Sequence, residues 1–156
     1  MKYTDALEKI EPYQKTAPVD VVKIAERFGL TVWESSDLPP GISGKLFRDN
    51  LNGGESGYSI LVNKAESSVR RRFTAAHEIG HFLLHRDRIG QGISDDEWYR
   101  GGLTSAEEAE ANRLAADILM PRALILDFQN RGFDDAVALA SIFKVSKAAM
   151  RIRLGD

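Results

Sequence analysis

The chain contains no cysteine. That excludes a disulfide scaffold, a thiolate metal site and a cysteine nucleophile. Histidine is scarce, with three in 156 residues. Long apolar runs are missing as well. The longest, near residues 137–143, is far too short to cross a bilayer. The opening MKYTDALEKIEPYQ has no apolar stretch of the kind a secretory signal needs. These absences predict a cytoplasmic protein with no membrane association. The formal net charge is −2, so nothing in the overall balance draws the chain to nucleic acid, and direct binding to it is not expected.

What is there reads as an ordinary globular domain, 43% hydrophobic and 28% charged. Residues 4–12 predict a short helix stopped by Pro12. Pro18 to Phe28 predicts a second, with apolar positions 19, 22, 24 and 28 and Gly29 as its stop. Residues 30–34, LTVWE, read as a strand. KLFRD and GYSILVN flank the turn-rich NLNGGES and read as a hairpin. Ser67 or Ser68 can cap a helix from about Val69 to His85. Residues 87–103 are polar and glycine-rich and read as a loop. Thr104 to Met120 predicts a long helix opened by the capping box Thr104-x-x-Glu107. Pro121 starts a short helix ending at Gly132, and Asp134–Phe143 and Ser146–Leu154 supply two more. The expected class is α+β, a small three-stranded sheet packed against several helices.

All three histidines fall in TAAHEIGHFLLH, at 77, 81 and 85. His77-Glu78-Ile79-Gly80-His81 is H-E-x-x-H. On a helix, residues four apart share a face, so both imidazoles can reach one ion. Glu78 lies about 100° around the axis from His77 but only about 60° from His81, beside the ion rather than behind the helix. Neutral imidazoles suit zinc, and a carboxylate at that offset can act on a water. His85 lies about 12 Å along the helix and about 80° around it from His77, which argues against its being a third ligand. A helix C-terminal role suits it, with a substrate-facing role as the alternative.

A catalytic zinc needs a third protein ligand. With no histidine or cysteine left, it must be Asp or Glu. Glu107 is taken by the capping box. Glu110 shares a stripe with Arg113 and Asp117 that reads as solvated. Glu108 heads a stripe with Ala111, Asn112, Ala115, Ile118 and Leu119, small enough for close approach to Gly80 on the other helix. Glu108 is therefore the first choice and Glu110 the second. Asp95, Asp96 and Glu97 are poorer, because loops hold ligands less rigidly. Asn112 could orient either Glu108 or a ligating histidine.

Four stretches, PVDVVKIAERFGLTV, RRFTAAHEIGHFLLH, EAEANRLAADILMP and VSKAAMRIRL, resemble the ImmA/IrrE family of metallo-endopeptidases and follow its order along nearly the whole chain. The resemblance implies a single zinc-peptidase domain over 1–156. Its N-terminal helices and sheet would span 1–66, its active-site helices 67–120 and its C-terminal helices 121–156. It implies a zincin-like core of the gluzincin type with one zinc per chain, held by His77, His81 and Glu108, with Glu78 as the catalytic carboxylate. It further implies a protein substrate, such as a helix-turn-helix transcriptional repressor. Leu114 stands where the family usually has Phe, and a separate DNA-binding domain is not expected here.

Tyr99, His85 and Arg100 are candidates for an oxyanion donor, and the sequence does not choose among them. GYSILVN reads either as an edge to which a peptide substrate adds or as an ordinarily paired strand. Arg70-Arg71-Arg72 opposes the dipole of the helix it opens, and pairing with nearby carboxylates is the favoured remedy. The last two helices look like a helix-turn-helix pair, for which packing or docking of a protein is preferred to DNA binding. The competing reading of the whole chain is a non-enzymatic, zinc-stabilised module that sequesters a repressor or binds DNA.

Overall fold

A computed structural model describes residues 1–88, the backbone of 92–94, and residues 103–155. The N-terminal helix α1, Tyr3–Ile10, runs into a 3-10 turn, Glu11–Tyr13, that contains Pro12. Helix α2 covers Val21–Arg27 rather than starting at Pro18. Asp20 sets the start, because its side chain accepts a hydrogen bond from the Lys23 amide at 3.0 Å. The later start changes the inward face to Val21, Ile24 and Ala25, and leaves Val22 exposed. Gly29 ends the segment with a φ of +77°, a conformation that costs glycine least.

The sheet has the order β1-β3-β2-β4. Its three longer strands are β1, Leu30–Ser35, β2, Gly44–Arg48, and β3, Tyr58–Asn63. β2 and β3 form the expected antiparallel hairpin, while β1 pairs with β3 in parallel. A short β4, Gly92–Ser94, lies antiparallel to β2 inside the stretch read as loop. β3 is thus an interior strand, hydrogen-bonded on both sides. GYSILVN has no open edge to offer a substrate, and of its two readings the paired strand stands.

Helix α3, Ser68–His85, lies against β2 and β3. Ser67 caps it, accepting from the Arg70 amide at 3.2 Å. The α3 arginines find partners: Arg70 lies 3.9 Å from Glu66 and Arg71 3.0 Å from Glu34. Arg72 donates to the main-chain oxygens of Phe143 and Lys144. Helix α4, Ser105–Leu119, carries the complete Thr104–Glu107 capping box. Its most extensive helix packing is on α3. Gly80 makes this possible. A Cβ there would stand 3.1 Å from the Ala111 carbonyl oxygen and 3.3 Å from its Cα.

Helices α5, Arg122–Asn130, α6, Ala136–Phe143, and α7, Lys147–Leu154, complete the chain. α6 and α7 pack on each other across a turn in which Lys144 takes a left-handed conformation. Arg153 fastens α7 to the body by donating to the Met120 oxygen at 2.9 Å and pairing with Asp117 at 2.8 Å. The resulting core joins Ile10, Ile24, Leu46, Ile60, Ile79, Leu114, Ile118 and Phe143. Among the described residues, no helix is long and apolar enough to cross a membrane.

Candidate metal centre

His77 and His81 occupy successive turns of α3, and their rings meet edge to face at 4.6 Å between centroids. The close packing at Gly80 delivers Glu108, in the first turn of α4, to both. Glu108 Oε1 lies 2.8 Å from His77 Nε2, and Oε2 lies 3.0 Å from His81 Nε2. One potential ligand atom from each of His77, His81 and Glu108 falls within 4.8 Å of the others. Both imidazoles are buried, and Glu108 reaches them from the rim of a cleft.

The far nitrogens of both rings are engaged. His77 Nδ1 lies 2.7 Å from Asn112 Oδ1. A carbonyl oxygen only accepts, so Nδ1 carries the proton and Nε2 is left to face Glu108. His81 Nδ1 lies 3.0 Å from His85 Nδ1, and His85 Nε2 lies 2.8 Å from Glu110 Oε1. Starting from the carboxylate, His85 donates Nε2–H to Glu110 and accepts the Nδ1–H of His81. His81 Nε2 is then left facing Glu108 as well. Two imidazole nitrogens and a carboxylate turned toward one point require a cation between them, either a proton or a metal ion. This donor set fits a divalent metal of the zinc type.

The electrostatics agree. Burial raises the Glu108 carboxyl, but when a proton fills the place between them, hydrogen bonds from His77 and His81, then their charge, outweigh it and bring it down from 4.5 to about 2. Burial pushes the His81 imidazole below its usual value against the opposing pull of Glu108, which favours the neutral ring that a metal requires. Glu78 is fully buried, with Oε1 4.0 Å from His77 Nε2.

Other expectations fare differently. Glu110 is not simply a solvated glutamate, because His85 holds it. Arg113 lies 4.3 Å over the Tyr3 ring, and Asp117 accepts from the Tyr3 hydroxyl. That stripe of α4 therefore faces α1 rather than only water. Glu107 serves the capping box and pairs with Arg88 at 2.8 Å. His85 is the last residue of α3, as expected, but it is a buried partner of His81, so the substrate-facing alternative does not suit it. Its signal was in the sequence, since the four-residue step from 77 to 81 repeats from 81 to 85. Tyr99, Arg100, Asp95, Asp96 and Glu97 lie outside the described residues.

Comparisons with known proteins follow the same lines. The family model described as the IrrE N-terminal-like domain matches residues 25–155. The radiation response metalloprotease IrrE of Deinococcus radiodurans is 38% identical over 85 residues, which are 54% of this chain and 26% of that protein. The protein of the same name from Deinococcus deserti is 39% identical over 83 residues, 53% of this chain and 30% of its own. The similar segment is thus less than a third of either relative. Among solved structures, a Mycobacterium tuberculosis transcriptional regulator superposes with a TM-score of 0.62 over 97% of this chain and 46% of its own. At 17% identity that likeness is one of fold.

Proposed function

This chain belongs to the IrrE N-terminal-like domain family, and from that premise we propose that it is a zinc-dependent endopeptidase that cleaves a regulatory protein, such as a helix-turn-helix repressor. The observation that carries the reading is Glu78. It is a fully buried carboxylate 4.0 Å from His77 Nε2, at the edge of the His77–His81–Glu108 group. A purely structural metal site needs no such base. The name metalloprotease given to the two Deinococcus relatives supports the same chemistry.

His77, His81 and Glu108 would hold the metal. Bound zinc supplies Lewis acidity, polarising a carbonyl and acidifying a water. Glu78 would take a proton from the water that attacks the peptide carbonyl and deliver it to the departing amine. Asn112 and the His85–Glu110 pair keep the two imidazoles turned toward Glu108 throughout. The Arg72 contacts to α6 and the Arg153 contacts beside α4 hold the C-terminal helices against this site, where they can present a surface to a protein substrate.

The test is elemental analysis of the purified chain beside His77→Ala and Glu108→Ala. About one zinc per chain, lost in both variants, is the expected result. Zinc retained in Glu108→Ala removes Glu108 from the ligand set. Failure of wild type to take up zinc removes the hydrolase and leaves a binding module.

A further inference from the structure

His77 and Glu108 line a cleft of about 950 Å³ whose walls also draw on α3, α4 and α7. Four arginines line it, Arg70, Arg113, Arg122 and Arg153. Among the described lining residues Glu108 is the one carboxylate, and it is committed to the imidazoles. Two of the arginines are also committed, Arg153 to Asp117 at 2.8 Å and Arg70 to Glu66 at 3.9 Å. Arg113 and Arg122 are different. Arg113 rests on the Tyr3 ring and Arg122 donates to the Arg153 main-chain oxygen at 3.2 Å. Neither makes a close ion pair with a carboxylate among the described residues, although Glu110 and Asp117 attract Arg113 from its own helix, and both arginines are exposed. The wall also carries apolar side chains, among them Phe73, Val145 and Ile152, the last 78% exposed.

Resting on the peptidase reading, we propose that this cleft selects peptide segments in which acidic side chains stand next to an apolar one, with Arg113 and Arg122 receiving the carboxylates. Guanidinium groups receive carboxylates through paired N–H donors, a geometry that lysine does not reproduce. The apolar wall then receives the neighbouring side chain. A polyanion such as nucleic acid is a poorer fit. The cationic surface is a short cleft with one apolar side, and the net charge of −2 gives no long-range attraction.

The experiment uses the full chain as Glu78→Gln, loaded with zinc, so that peptide is bound and not consumed. Three dye-labelled hexapeptides alternate leucine with glutamate, glutamine or lysine, and binding is read by fluorescence anisotropy. The Leu–Glu peptide should bind tightest. Arg113→Gln with Arg122→Gln should weaken it roughly fivefold for each lost pair and leave the Leu–Gln peptide unchanged. The double lysine variant should recover part of the loss, which a merely structural role for these arginines would not predict. Thermal melting of each variant separates misfolding from lost recognition. Equal binding of the Glu and Gln peptides, no binding of either, or indifference to the double variant overturns the proposal. So does a single-stranded oligonucleotide that outcompetes the Leu–Glu peptide. Zinc content measured on the same samples keeps the two ideas apart. Zinc without acidic selectivity sinks the cleft alone, whereas selectivity without zinc sinks the peptidase.

Discussion

His81 and His85 face each other nitrogen to nitrogen, with their Nδ1 atoms 3.0 Å apart on successive turns of α3. Glu110 holds the far side of His85 at 2.8 Å. The chain Glu110–His85–His81 fixes both the tilt and the tautomer of the second imidazole, as Asn112 does for the first. Replacing His85 by Ala should leave a site that still binds zinc, with affinity reduced about 10- to 100-fold. His85→Gln, which offers both an acceptor and a donor, should recover part of that. Competition with a chromophoric chelator measures both, and unchanged affinity in the alanine variant rejects the role.

Glu78→Gln tests the division of labour at the site. The amide is almost the same size but cannot take a proton. Zinc content should stay at the wild-type level while peptide cleavage disappears. Zinc lost along with activity would instead make Glu78 a ligand.

Gly80→Ala pits helix propensity against packing. Alanine favours the helix by about 1 kcal/mol. Its methyl group, however, meets the Ala111 backbone at 3.1 Å, and overpacking of this kind costs about 1–3 kcal/mol. The net expectation is destabilisation by about 1 kcal/mol. Zinc affinity should weaken with it, because α4 carries Glu108. Urea denaturation and the chelator competition report the two effects, and a stabilised variant with normal affinity contradicts the packing account.

Tyr3 supplies a prediction in alkali. Burial first, then the hydrogen bond to Asp117, raises its hydroxyl from 10.0 to about 12. A raised folded-state pKa means that the stabilisation is complete below pH 10 and is lost as pH climbs through about 12. Wild type should therefore lose stability more steeply than Tyr3→Phe between those values. The variant, lacking the bond to Asp117, starts lower. Parallel pH dependence of the two melting curves rejects this.

Side-chain periodicity made the convergence of His77, His81 and Glu108 legible. His77 and His81 share a helix face by spacing, and Glu108 heads the small-residue stripe that Gly80 admits. The capping box and the stop were legible too, because Thr104–Glu107 and Gly29 act on backbone within a few residues of themselves. Contacts between elements were not. A helical wheel reads Glu110, Arg113 and Asp117 as a wet stripe, since it has no knowledge of Tyr3 on α1 or His85 on α3. The phase of α2 depended on which residue capped it, and Asp20 rather than Pro18 decided that. Gly92–Ser94 has no alternating pattern to mark a strand, and pairing with the open side of β2 makes it one.

The chain has no cysteine, and the site reverses the consequence of that. His81 and Glu108 are 27 positions apart. An ion gripped by both would close a ring of that size, a covalent-like staple in a protein that has no sulfur with which to make one. By the loop-closure relation used for disulfides, such a staple restricts the unfolded chain by about 3.5 kcal/mol. Stripping the ion would then loosen the molecule, tying the lifetime of the fold to the supply of metal.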